Sequence, residues 1–159
     1  MSGVTTRIDR ISADTAFPLR ANILRAALPP EESRYPQDDW PETLHIGGFL
    51  DDRLVCVASF LPEAQEPGEP SGAFRLRGMV TVPEYRGRGI GGAVLDRGIA
   101  DLIAAGARLL WCNGRTGAVE FYARHGFRRV GEEFETPGTG PHYRFLRPLA
   151  ATAAGFSSP

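Results

Sequence analysis

Lysine is absent from this chain of 159 residues: all 18 basic side chains are arginine. That absence excludes a Schiff-base nucleophile, a pyridoxal attachment point and a P-loop lysine on a phosphate. Charge of one sign is lacking as well. With 19 acidic residues against the 18 arginines the formal net charge is −1, which argues against nucleic acid or an anionic membrane as the main partner. Cysteine is scarce, and Cys56 and Cys112 each sit inside an apolar run. The opening MSGVTTRIDR has no apolar core of the signal-peptide type, so two buried free thiols in a reducing, cytoplasmic setting are expected rather than a disulfide. No apolar stretch approaches the roughly 18 residues of a membrane span. Three scattered histidines lack metal-ligand spacing, and no metal site is expected. Length predicts one domain over 1–149, large enough to bury a core, with the small, uncharged residues 150–159 as a frayed tail.

Glycine (19) and proline (13) are plentiful, and they divide the chain into elements. A short strand is expected over Thr6–Ile11, then a helix capped by Asp14 and running to about Ala27, with Pro18 near its first turn. A proline-rich acidic loop, Leu28–Pro41, leads to a hairpin of Thr43–Leu50, the turn Asp51–Asp52 and Leu54–Leu61. A second acidic loop, Pro62–Gly72, precedes a strand over Phe74–Val82. From Gly89 the apolar residues Ile90, Val94, Leu95, Ile99, Leu102 and Ile103 recur with helical period, and Gly106 is placed to stop the helix. Arg108–Cys112 reads as a buried strand, Thr116–His125 as a helix closed by Gly126, and Arg128–Phe134 and Tyr143–Leu146 as strands. The order β-α-β-β-β-α-β-α-β-β predicts a mixed α/β (α+β) sheet with helices.

The most informative segment is Val82–Gly92, VPEYRGRGIGG, between a strand and an amphipathic helix. Its glycines remove Cβ atoms, so the backbone can approach a ligand and turn successive N–H groups toward it. The helix N-terminus adds unsatisfied donors and a partial positive charge, and Arg86 and Arg88 add full ones. A di- or triphosphate group is the natural occupant. Gly87-x-Gly89-x-x-Gly92 matches the dinucleotide fingerprint letter for letter, yet its context fails: Arg108–Asn113, where the partner carboxylate belongs, has none.

Arg86-x-x-Gly89-x-Gly91 after a strand and a Tyr-Arg-Gly entry resembles the acyl-CoA pyrophosphate loop of the GCN5-related N-acetyltransferases (GNAT family). Leu109–Asn113, LLWCN, is similar to that family's next strand with its terminal asparagine, and Ala118–Phe127, AVEFYARHGF, to the helix carrying its FYxxxGF signature. The resemblance is strongest over Leu76–Phe134. It implies a single-domain, mostly antiparallel mixed sheet flanked by helices, with a splay between the central strands where the thioester lies. It implies acetyl-CoA as co-substrate, with a small-molecule or peptide amine as acceptor. A non-catalytic acyl-CoA-binding module is the alternative, and a homodimer is left open.

Carried over by position, the resemblance assigns the pyrophosphate to the backbone amides of Arg86, Gly87, Arg88, Gly89, Ile90, Gly91 and Gly92. The pantetheine arm falls to the backbone of Met79, Val80 and Val82, and a further hydrogen bond to Asn113. Tyr122 stands in the FY position as general acid for the departing thiolate, because a phenol is protonated at neutral pH. Taking the proton from a lysine-like amine at pH 7 costs roughly 4–5 kcal/mol, so a base is wanted. Phe74–Val82 carries no carboxylate, and His142 is the candidate, with His45 behind it. Glu31, Glu32, Asp38, Asp39, Glu63, Glu66 and Glu69 in the two loops are candidates to attract a cationic amine. Arg20 and Arg25 either grip a carboxylate-bearing acceptor or lie on the wet face of the first helix. Without lysine, phosphate binding rests on backbone amides and arginine, and only the α-amino group remains as an internal amine target.

Overall fold

A computed structural model describes residues 3–149; the expected tail, 150–159, lies outside the described residues. Among the described residues seven strands and three α-helices follow one another in the expected order: β1 Thr6–Arg10, α1 Ala13–Leu19, β2 Leu44–Leu50, β3 Arg53–Pro62, β4 Ala73–Thr81, α2 Ile90–Ala104, β5 Leu109–Arg115, α3 Val119–Arg124, β6 Arg128–Thr136 and β7 Gly140–Pro148. The strands are hydrogen-bonded in the order β1-β2-β3-β4-β5-β7-β6. β1–β2, β2–β3, β5–β7 and β6–β7 are antiparallel, while β4 and β5 run parallel across the α2 crossover. Their parallel ladder is short, pairing Ala73, Phe74 and Arg75 with Leu109, Leu110 and Trp111. The chain divides into two compact units, Met1–Pro62 with Leu76–Ala100 and Glu63–Arg75 with Asp101–Pro159.

In the first unit the hairpin turn falls at Asp51–Asp52, with φ of 49° and 65°. Two successive positive φ values make a type I′ turn, which matches the strand twist, and aspartate tolerates the left-handed region. The Asp51 carboxylate also accepts the Thr5 amide at 2.9 Å. Helix α1 starts two residues earlier than expected, because Ser12 caps it by accepting the Thr15 amide. Pro18 stands inside α1 rather than in its first turn. The helix then widens into a π turn over Arg20–Leu24, closed by the Arg25 amide on the Arg20 carbonyl at 2.9 Å. The apolar side of α1 packs Ala16 against Val57 and Val80.

Arg20 is where the sequence reading needs correction. It lies neither on a wet face nor in reach of an acceptor: it is fully buried. Its guanidinium pairs bidentately with Asp38 (Nη1–Oδ2 2.8 Å, Nη2–Oδ1 2.9 Å) and donates to the Ser33 carbonyl at 3.0 Å and to Ser59 Oγ at 2.6 Å. Ser59 Oγ is 2.7 Å from His45 Nδ1, and His45 Nε2 is 2.9 Å from the Asp38 carbonyl. A ring nitrogen facing a carbonyl must carry the proton, so His45 is the Nε2–H tautomer with Nδ1 accepting from Ser59. That uses both nitrogens and removes His45 as a candidate base. The Tyr35 ring lies between two guanidiniums, Arg20 at 4.3 Å and Arg77 at 4.2 Å.

The second unit is built on β5, whose Leu109, Leu110, Trp111 and Cys112 are buried, and on Phe127 and Phe145 around α3. β7 inserts between β5 and β6, so a sequence-adjacent hairpin, β6–β7, is joined to β5 through its second strand. Gly126, at φ 88°, ends α3 as expected. A 3-10 turn over Thr116–Ala118 precedes α3, so the α-helical part is shorter than the expected Thr116–His125.

Burial pushes the Asp38 carboxyl up, but hydrogen bonds from Arg20 and the Tyr35 amide, with the Arg20 charge, more than offset it and hold it below its ordinary value. A carboxyl lowered in the folded state contributes stability above its unfolded value, near about 3.9, which is lost as pH falls through the folded value. Asp38→Asn leaves the buried Arg20 charge uncompensated. Urea titration is expected to show about 3–5 kcal/mol lost at neutral pH and a flatter acid limb of stability. A wild-type midpoint with a wild-type acid limb would contradict this account of the pair.

Candidate active site

The glycine-rich loop belongs to the first unit. After β4 a 3-10 turn, Pro83–Tyr85, sets up an extended Arg86, followed by Gly87 at φ 78° and Gly89 at φ 85°. A Cβ at either glycine would meet no atom within 4 Å. Glycine is therefore required there by the backbone conformation and not by crowding. The Arg86 amide, expected in the row, is committed to the Pro83 carbonyl at 3.2 Å, so the row of amides open to a ligand begins at Gly87 and continues into the first amides of α2, 15 residues long. Gly91 faces the Met79 and Thr81 side chains, at 3.4 and 3.6 Å from a notional Cβ. Arg86, Gly87, Arg88 and Gly89 are exposed and Ile90 is buried. Arg86 is steadied by Nε donating to the Thr81 carbonyl at 3.1 Å.

The β4 residues expected to pair with an arm differ from one another. Met79 is half-buried and Val80 is buried. The Val82 amide donates to the Val55 carbonyl at 2.8 Å and the Val82 carbonyl accepts from the Tyr85 amide at 2.9 Å, so both backbone polar groups of the expected arm contact already have partners. Next to the loop, Cys56 is a buried thiol that accepts from Thr81 Oγ1 at 3.3 Å, and burial raises its pKa.

In the second unit Asn113 follows the buried run Leu109–Cys112 of β5 and is half-buried. Its Oδ1 accepts from Arg144 Nε at 2.7 Å, which leaves the amide NH2 as the donor end. Arg144 also donates to Gln65 Oε1 at 3.2 Å and lies over the Trp111 ring at 4.3 Å, with Arg75 at 4.8 Å from the same ring. Burial, with the like charge of Arg75, pulls the Arg144 pKa down.

Tyr122 sits in an aromatic nest of Phe121, Phe127 and Phe145, with ring centres 5.3, 5.3 and 4.7 Å away. The ring lies over the backbone of Gly114, where a Cβ would come within 2.6 Å of it. The hydroxyl is engaged with the buried Cys112 thiol. Burial raises the Tyr122 pKa well above the ordinary phenol value, and the Cys112 sulfur raises it further. Burial likewise pushes the Cys112 thiol up to about 12. The Cys112–Tyr122 contact was not anticipated from sequence; a glycine directly after Asn113 was the signal that a ring must approach there.

His142, on β7, is buried, with Nδ1 2.8 Å from the Gly140 carbonyl. Nδ1 therefore carries the proton in the neutral ring, and Nε2 keeps its lone pair. In the ladder His142 stands opposite both Arg115 of β5 and Phe134 of β6. Beside it a depression of about 340 Å³ is lined by Arg115, Thr116, Gly117, Ala118, Thr139 and Pro141.

The acidic loops separate into used and free charges. Asp38 belongs to Arg20; Glu63 pairs with Arg75 at 3.1 Å and Glu69 with Arg108 at 2.6 Å. Hydrogen bonds from the Glu66 amide and Arg108 lower the Glu69 pKa. Glu31, Glu32, Asp39 and Glu66 remain exposed. No helix among the described residues is long and apolar enough to cross a membrane.

The sequence profile of the acetyltransferase (GNAT) family matches residues 13–127. Over 143 residues the chain is 34% identical to YitI of Bacillus subtilis (strain 168), an uncharacterised N-acetyltransferase, with 88% of this chain and 96% of that one covered. Among solved structures, ElaA of Escherichia coli matches with a TM-score of 0.73 at 19% identity, over 90% of this chain and 99% of its own. A GNAT-family acetyltransferase from Streptococcus pneumoniae matches at 0.69 and 20% identity, over 91% and 99%. These likenesses carry the fold, the seven-stranded, mostly antiparallel sheet with its helices.

A raised phenol does not ionise with the others. Of the four tyrosines, Tyr122 is expected to contribute nothing to the phenolate absorbance step near about pH 10. The step in Tyr122→Phe should then equal that of the wild type. A step smaller by one tyrosine's amplitude would show that the hydroxyl is solvated.

Proposed function

The chain belongs to the GNAT family of acetyltransferases, and from that premise we propose that it moves an acetyl group from acetyl-CoA to a primary amine of a small molecule or peptide. The family uses acyl-CoA co-substrates, and the finer reading rests on one observation above all. Between β4 and α2, Gly87 and Gly89 hold a left-handed backbone, and the amides of Gly87 to Gly92 are the donors proposed to meet one anion. A pyrophosphate is bound there by N–H groups and the helix dipole, with no lysine needed. Met79 and Val80 are the proposed backbone partners of the pantetheine arm, since both backbone groups of Val82 are engaged within the fold. Asn113, oriented by Arg144, offers its amide NH2 to a carbonyl of that arm.

In the proposed reaction the neutral amine attacks the thioester carbonyl carbon, and the tetrahedral intermediate collapses with cleavage of the carbon–sulfur bond. His142 Nε2 takes the proton lost by the amine, since Nδ1–H is held by the Gly140 carbonyl. Tyr122 gives its proton to the departing thiolate. Its raised pKa keeps it protonated throughout the working pH range, at the cost of a weaker drive for transfer. Cys112 holds the hydroxyl in place. The free carboxylates Glu31, Glu32 and Asp39 favour an acceptor that arrives as a cation.

Acetyl-CoA should raise the melting temperature, because it binds only the folded state, whereas NAD should not. Tyr122→Phe is expected to keep that shift and to lower thiol release by about 10²-fold or more with an accepted amine. Stabilisation by NAD alone would overturn the loop assignment. Wild-type turnover in Tyr122→Phe would overturn the assignment of the acid.

A further inference from the structure

The glycine-rich loop carries more positive charge than a pyrophosphate needs. Tyr85, half-buried, ends the 3-10 turn just ahead of the loop. Arg53, from the start of β3, donates Nη1 to the Tyr85 hydroxyl at 3.2 Å, with its Cζ 5.4 Å from the ring centre. Arg88, from within the loop, places its Cζ 5.3 Å from the same ring. Two guanidiniums are thus gathered on one aromatic ring, and Arg86 adjoins them in sequence. Among the described residues no carboxylate pairs with any of the three: neighbouring Asp52 lies against Arg7 at 3.6 Å instead. Arg53 and Arg88, gathered on one ring with no carboxylate beside them, repel one another, and an anion between them relieves that repulsion.

The amide row and helix dipole already satisfy the two charges of a pyrophosphate. The surplus guanidiniums call for a second phosphate, and arginine's planar fork suits a phosphate dianion through paired N–H donors. On the acyl-CoA reading of the loop, on which this step rests, the ligand carries one: the 3′-phosphate on its ribose. We infer that Arg53 and Arg88, held on Tyr85, recognise the 3′-phosphate and make the chain selective for 3′-phosphorylated acyl-CoA over its 3′-dephospho form. Tyr85 acts as the positioning residue that keeps the two arginines together. Arg53 lies far from the loop in sequence, so the hairpin that brings it there helps to set co-substrate choice.

The test compares acetyl-CoA with acetyl-3′-dephospho-CoA by calorimetry on the wild-type chain, Arg53→Gln and Arg88→Gln. Both side chains are exposed, and melting temperatures check that the variants fold. The wild type is expected to bind acetyl-CoA about tenfold or more tightly than the dephospho form. Each variant should lose most of that preference, and Arg53→Gln, which lies outside the loop, should keep its affinity for the dephospho form within about twofold of the wild type. Equal wild-type affinities for the two ligands would overturn the inference and leave the acyl-CoA reading intact. So would variants that weaken both ligands alike. Failure of either ligand to bind would instead remove the acyl-CoA reading, and this inference with it.

Discussion

A fully buried arginine, Arg20, bonded at both terminal nitrogens to Asp38, is the constraint around which the first unit is arranged. A charge taken out of water is tolerated only with close partners; both terminal nitrogens of Arg20 have them, while Nε has none, and the partners come from three parts of the chain. Asp38 and the Ser33 carbonyl belong to the loop after α1, Ser59 to β3, and His45 on β2 closes the ring of bonds. Gly78 of β4, at φ 65°, brings its backbone so close that a Cβ there would lie 2.8 Å from Arg20 Nε. A side chain at position 78 would therefore meet both the guanidinium and the left-handed backbone. Such a pair need not add net stability over an apolar core. Its effect is to leave one way of assembling α1, the loop and β2 to β4. Since β4 runs directly into the glycine-rich loop, the same constraint sets where the amide row begins.

The absence of lysine has a structural counterpart. Among the described residues nine guanidiniums lie within 4.0–5.4 Å of an aromatic ring centre, against roughly two at the general rate of one per 70–80 residues. Several are paired on one ring: Arg20 and Arg77 on Tyr35, Arg75 and Arg144 on Trp111, Arg53 and Arg88 on Tyr85. A planar, weakly hydrated guanidinium can stack and still donate in its plane, which an ammonium cannot do. Arg144 shows the consequence at the candidate site, stacking on Trp111 while fixing the orientation of Asn113.

Local chemistry was legible in the sequence. The loop glycines, the period of α2, the Asp51–Asp52 turn and the stop at Gly126 all depend on residues within one turn or one element, and each appears where expected. Features that depend on a distant partner were not legible. Arg20 fits the wet face of an amphipathic helix, and only Asp38, Ser33, Ser59 and His45 together make it an interior residue. The hydrogen bond that commits the Val82 amide comes from β3, and Tyr122 meets Cys112 only once α3 packs over Gly114. The acidic loops misled for the same reason: their composition was plain, but which carboxylates are consumed by arginines was settled by tertiary contacts.

The backbone conformation of the loop is what the proposed phosphate site depends on most directly. Gly89→Ala puts a side chain into open space, so it clashes with nothing, but opposes a φ of 85° by about 1–2 kcal/mol. The measurement is calorimetric affinity for acetyl-CoA in this variant beside the wild type, with the unliganded melting temperature of each. A fall of about tenfold or more in affinity, with the variant still folded, is the result the amide row requires. Wild-type affinity in a folded Gly89→Ala variant would contradict it, because the phosphates would then be held by something other than the amides those glycines turn outward.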